Sequence, residues 1–196
     1  MDRRTFIGGI ARGLLVVPLA ARAQQAGKVY RIGILEAIPA AQNAANLDAL
    51  RKGLRDSGYV EGKNLLLDAR SQGDLGRTFE RAVRQHVDGL LIGADGLTQM
   101  HQKTIIELVA RNRLPAAYPA REFVEAGGLI AYAVNYPGLY FRFATFVDKI
   151  FRGVAPSELP VEQPTKFELV INAKTAKSLG LTIPPPLLVR ADEVIE

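Results

Sequence analysis

Apolar positions along this chain fall into short unbroken runs, and between the runs lie stretches where apolar residues recur every three or four positions. "VYRIGIL" over 29–35 is apolar and β-branched, ends on a polar residue and is soon followed by Pro39, which marks a buried strand entering a loop. In "AQNAANLDALRKGLRDSGYVEGKN", Leu47, Leu50 and Leu54 stand at helical spacing with charges opposite, and Gly58 supplies a stop. "NLLLDAR" then predicts a second strand. Strand, helix and strand in this order make a right-handed unit with parallel strands.

The alternation repeats. "TFERAVRQHVDGLLIGADG" predicts a helix burying Phe79, Ala82 and Val83, then a strand over 89–92. "TQMHQKTIIELVARNRLPAAYPA" predicts a helix burying Ile105, Leu108 and Val109, then the strand "PAAY". "REFVEAGGLIAYAVN" predicts a helical turn from Glu122, a stop at Gly127 and Gly128, and a strand over 129–132. The helix "PGLYFRFATFVDKIFRG" is expected to bury Leu139, Phe143, Val147 and Ile150, with its aromatics in the core rather than on a ligand platform. Six of the eleven prolines fall in 155–196, a tail expected to hug the surface with one strand over 167–171 and one short helix over 173–179. Strands alternating with helices predict an α/β fold with a doubly wound parallel sheet.

The first residues break this pattern. Arg3 and Arg4 precede a weakly apolar run over 10–19, and Ala21-Arg22-Ala23 puts small residues at both key positions of a cleavage site, so residues 1–23 read as a secretory signal cut after Ala23. Gly8, Gly9, Arg12, Gly13 and Pro18 count against a buried helix there. Arg-Arg-x-Phe-Ile resembles a twin-arginine signal, and the expected location is the periplasm. Four arginines against one aspartate place +3 of the formal +5 in this segment. The remaining charges are interspersed, which argues against nucleic acid as a partner. After the signal no apolar stretch reaches the ~18 residues of a membrane span.

With 48% hydrophobic and 23% charged residues the chain holds enough apolar material for one globular domain or two small ones. Having no cysteine, it can form neither a disulfide nor a thiolate metal site nor a lipoprotein anchor. No phosphate-binding glycine motif follows the first strand, where Ile34-Leu35-Glu36-Ala37 stands instead. His86 and His101, the whole imidazole supply, lack metal-ligand spacing, and no serine sits in a nucleophile elbow. Neither a cofactor, a metal nor an enzymatic activity is expected.

Binding remains. In open α/β sheets ligands lie beyond the carboxyl ends of the strands, among loops and helix N-termini. The residues there are 36–40, 93–98, 119–122 and 132–135. Glu36 belongs to the first of these. Asp95, Arg121 and Glu122 are suited to the ammonium and carboxylate of a zwitterion, and Tyr118 and Tyr132 to its apolar body. The plainer alternatives are that Asp95 caps a helix or turn and that Arg121 is a solvated charge.

These residues carry a resemblance. "VYRIGIL", "LRDSGYVEGKNLLLDAR", "RLPAAYPAREFVEAGGLIAY", "VDKIFRGVAPSELPVEQPTKFELVINAKTAKSLGLTIPP" and "RADEVIE" are similar to the periplasmic substrate-binding proteins of ABC transporters, in the type I branch related to aromatic amino-acid uptake. The resemblance implies two α/β lobes that close over a small amino-acid-like ligand, a monomer that docks on an inner-membrane permease, and no enzymatic activity. Relative to that pattern the chain has an internal loss near 71–79, leaving a partial N-terminal lobe over 28–76 and a partial C-terminal lobe over 77–196, with the Pro-rich tail and a final crossover strand. The surviving strands have two options: one hybrid sheet, or two incomplete half-lobes with exposed edges. A truncated remnant that binds nothing and a small exported flavodoxin-like enzyme are the alternative readings.

Overall fold

The computed structural model describes residues 28–71 and 75–196. The expected export signal, with Arg3, Arg4, Ala21 and Ala23, lies outside the described residues. Seven strands join in one sheet: β1 (Tyr30–Glu36), β2 (Leu65–Ser71), β3 (Gly89–Ile92), β4 (Ala116–Tyr118), β5 (Ile130–Val134), β6 (Phe167–Asn172) and β7 (Glu193–Ile195), in the order β2-β1-β3-β4-β5-β6-β7. The first five positions are parallel, as a chain of strand–helix–strand units requires. β1 lies second in this order, between the edge strand β2 and β3, with Tyr30 opposite Leu65 on one side and Ile32 opposite Gly89 on the other.

The intervening helices are α1 (Ala44–Asp56), α2 (Leu75–Arg84), α3 (Gly96–Met100), α4 (Gln102–Arg111) and α5 (Arg121–Glu125). Leu47 of α1, Phe79 and Ala82 of α2, and Ile105 and Val109 of α4 are buried as their spacing predicts. Val83 is exposed, lying off the buried stripe of α2. The core cluster runs from Leu35 and Phe79 through Ile105, Phe123 and Val124 to Ala131 and Val170. His86 and His101 are both exposed.

The sheet changes polarity beyond β5. Helix α6 (Tyr136–Phe151) and the stretch after it bring the chain back to the same edge at which β5 ended, with Phe167 opposite Val134, so β6 pairs antiparallel to β5. β7 then follows β6 in parallel, after α7 (Ala173–Ser178) and α8 (Pro185–Arg190), two elements of which the periodicity shows only the first.

One expectation fails outright. Helix α6 buries none of its side chains: Phe143, Val147 and Ile150 are exposed, and Leu139 is only half-buried. An apolar stripe is buried only where a second layer covers it; here the segment 162–166 lies beside Leu139, Phe143 and Phe146 without burying them. Phe141 and Phe151 are 80% and 84% exposed.

Candidate functional site

Because β1, β3, β4 and β5 are parallel, Glu36, Ile92, Tyr118 and Val134 all end on one edge of the sheet. The loops that leave this edge enclose an open cleft of about 480 Å³. Its walls are the β3–α3 turn with Asp95 and Gln99, the β4–α5 turn with Pro119 and Glu122, and the first two turns of α6 with Tyr136 and Tyr140.

Asp95 shapes one wall. It is the N-cap of α3: Oδ1 accepts from the backbone N–H groups of Leu97 (2.9 Å) and Thr98 (2.8 Å), while Oδ2 accepts from the N–H of Ala37 (2.9 Å) on the neighbouring loop. Buried Thr98 completes the box through Oγ1, which donates within the same turn and accepts from the N–H of Asp95 at 3.3 Å. The carboxylate therefore brings negative charge to the cleft with both oxygens already engaged.

Glu122 differs. It lines the same cleft, but its Oε2 is buried with no hydrogen-bond partner. An unpaired buried acceptor forfeits hydration without a replacement bond, at about 1–3 kcal/mol.

Arg121, its chain neighbour, points to other partners. Its guanidinium donates to Glu125 (2.8 Å), Glu193 (2.6 Å) and Glu168 (3.2 Å), tying α5 to β6 and β7. Hydrogen bonds to Glu125 and then Glu193 raise its pKa above the usual arginine value against a small opposing effect of burial. Buried Glu168 also accepts from Asn135 Nδ2 at 3.0 Å.

The remaining sequence candidates lie elsewhere. Tyr118 is in the core, stacked on Phe123 with ring centroids 5.2 Å apart, and burial pushes its hydroxyl pKa well above the usual range. Tyr132 is 69% exposed in mid-strand, where it stacks on Phe167. Glu36 is buried at the end of β1; one oxygen accepts from Asn43 Nδ2, the other has no partner, and the residue does not line the cleft. The structure thus gathers Asp95 and Glu122 at one cleft and distributes the other four. Tyr140 at its mouth is one of the helix aromatics expected in the core, and Tyr136 lies one residue before that stretch; their position just after the β5 crest loop is the available signal.

The family model for ABC transporter substrate binding proteins matches residues 74–195. The chain belongs to this family. Its members are substrate-binding proteins. Solved structures of similar fold include an ABC domain from Streptococcus pneumonia in complex with L-Trp, at 22% identity and TM-score 0.72, and a conserved domain protein from Vibrio cholerae, at 21% and 0.70. A ligand-free, open substrate binding protein with adhesive properties from Clostridium difficile follows at 20% and 0.55. They match 85%, 89% and 90% of this chain, which spans only 57%, 58% and 58% of theirs. At these identities the likeness is one of fold. No curated protein matches the chain significantly.

Two-lobed closure, implied by the sequence resemblance, has no counterpart among the described residues, whose strands all belong to one sheet. The same residues contain no acidic or histidine cluster fit for a metal, and no helix long and apolar enough to cross a membrane.

Proposed function

We propose that this chain is the solute-binding component of an ABC-type import system, taking a small amino-acid-like ligand at the crest cleft. One observation carries this reading: in a family of substrate-binding proteins, a cleft of about 480 Å³ opens where parallel α/β sheets receive ligands. Export to the periplasm, with cleavage after Ala23, and docking of a monomer on an inner-membrane permease complete the proposal. The segment 28–76 represents the N-terminal lobe of the family pattern and 77–196 the C-terminal lobe, the start of the family match at residue 74 supporting the division.

Thermal melting of the purified chain against a panel of amino acids and related metabolites tests the reading. A ligand at about a hundred times its Kd adds roughly 2.7 kcal/mol to the folded state, so a specific binder raises the melting temperature clearly. No shift with any compound, together with an ill-defined melt, leaves the second reading, a remnant that binds nothing. The exposed stripe of α6 favours that alternative. Changing Arg3 and Arg4 to lysine tests the route of export, because twin-arginine transport should then stop.

A further inference from the structure

A second cavity, of about 290 Å³, opens at the edge of the sheet opposite the crest, where Leu114 and Leu129 lead into β4 and β5 and where α4 and α7 end. Ile106, Val109 and Leu179 add to its apolar walls. Tyr118 also lines it, its ring lying against Gly128, where a Cβ would meet the ring at 2.6 Å. The residue is 3% exposed, yet its hydroxyl makes no hydrogen bond among the described residues and, unlike Glu36 Oε1 and Glu122 Oε2, is not sealed from solvent. The cavity is its opening. Burial keeps this phenol protonated, so it presents a donor.

Arg113 supplies the charge. It is exposed, has no ion-pair partner among the described residues, and is the one charged residue among those that line the cavity. The carbonyls that end α4 are already taken by the N–H groups of Asn112, Arg113 and Leu114, and no carboxylate stands among the lining residues. Thr175 Oγ1 donates to the Gly127 carbonyl at 2.9 Å and Ser178 Oγ to that of Thr175 at 2.8 Å, so their hydrogens are committed. The free donors are therefore a cation and a phenol beside apolar walls. We propose that this cavity is a second binding site, separate from the crest cleft, for a small carboxylate on an apolar body of one ring or one branched chain. The anion takes charge-assisted hydrogen bonds from Arg113 and Tyr118, and the aliphatic walls take the body. An amine would face Arg113 with no anion to answer it. The volume, just below the ~300–1,000 Å³ of sites for drug-sized ligands, holds the body to this size.

Calorimetric titration of the full chain with benzoate, benzamide and benzylamine varies the charge on one ring, and 3-methylbutanoate offers the branched body. Benzoate should bind, benzamide at least about tenfold more weakly, and benzylamine not at all. Tyr118→Phe removes an O–H that bonds to no described residue; it should weaken benzoate by about tenfold with an unchanged melting temperature. Arg113 stands at φ = +51°, where glycine is the favoured residue. Arg113→Gly should therefore weaken benzoate by about tenfold without lowering the melting temperature, and it serves if Tyr118→Phe melts lower. Failure of both carboxylates to bind overturns the site, as does benzoate binding to both variants as tightly as to the parent chain. Benzamide or benzylamine binding as tightly as benzoate overturns the anion assignment. Both variants keep the lining residues of the crest cleft, so the reading of that cleft is tested apart.

Discussion

Replacing Asp95 with alanine probes the crest most directly. The substitution removes two effects. Loss of the N-cap on α3 costs about 1 kcal/mol, within a usual range of about 0.5–2. Loss of Oδ2 leaves the partly buried N–H of Ala37 without its 2.9 Å acceptor, at about 1–3 kcal/mol. Together Asp95→Ala should destabilise the fold by about 2–4 kcal/mol. For a chain of this size the urea dependence is about 2 kcal/mol per molar, so the unfolding midpoint should fall by about 1–2 M. Asp95→Asn should fall between the two. Its amide oxygen still caps α3, but its NH₂ faces the Ala37 N–H donor to donor. Equilibrium urea unfolding followed by far-ultraviolet circular dichroism gives all three midpoints. A loss under about 0.5 kcal/mol for Asp95→Ala, the size of an ordinary surface substitution, would refute the assignment of Asp95 as the staple between the β1 and β3 loops.

Other outcomes follow from the same geometry. A Cβ on Gly128 would lie 2.7 Å from the carbonyl oxygen of Phe123 and 2.6 Å from the Tyr118 ring, so Gly128→Ala should cost about 1–3 kcal/mol, read as a lower melting temperature. Arg121→Met should cost roughly 3 kcal/mol by leaving buried Glu168 without its cation, and adding Glu168→Gln should restore most of the loss; no recovery in chemical unfolding would argue against the clamp. Burial pushes the Asp88 carboxyl up, but the Arg31 N–H at 2.8 Å and Lys28 at 3.0 Å pull it further down, leaving its pKa below the ordinary value. Its contribution is therefore present above about pH 4 and lost as pH falls through the lowered folded value; in urea midpoints measured down to about pH 3, Asp88→Asn should flatten this acid limb. Phe141→Lys with Phe151→Lys should leave the melting temperature nearly unchanged and reduce light scattering on concentration, whereas a marked drop in melting temperature would mean that this face is packed.

The strands from residue 30 to residue 134 and the helices between them, apart from the short α3 that ends at Met100, are legible because each depends on local pattern. A strand buried on both faces reads as an apolar run, and the helix over it reads as a stripe. The reversal at β6 was not legible, since strand direction is set by the path that α6 and the following loop take across the sheet. For α6 the stripe was visible but its covering layer was not, and periodicity cannot report whether a partner exists. The same division holds at the cleft. Asp95 and Glu122 follow directly after strands, so position alone nominated them. The engagement of Arg121 depends on Glu168 and Glu193, 47 and 72 residues further along the chain, beyond the reach of any local rule.

The place of β1, one strand in from the edge of the sheet, has a consequence for how the molecule comes apart. The core cluster draws on the chain from Phe79 to Val170 and takes only Leu35 from the residues before it; Ile34, Leu47 and Leu65 are buried outside that cluster. Residues 28–71 therefore form a graft on a body that keeps its own interior. They are joined to it by the short β1–β3 ladder, the Ala37–Asp95 bond and the contacts of Lys28 and Arg31 with Asp88 and Gln85. A seam of this kind marks the boundary between cooperative units: β1 and β2 peel away together at lower free energy than β4 and β5 open. Backbone amides of β2 accordingly exchange with solvent through partial openings that leave the Phe123 interior closed.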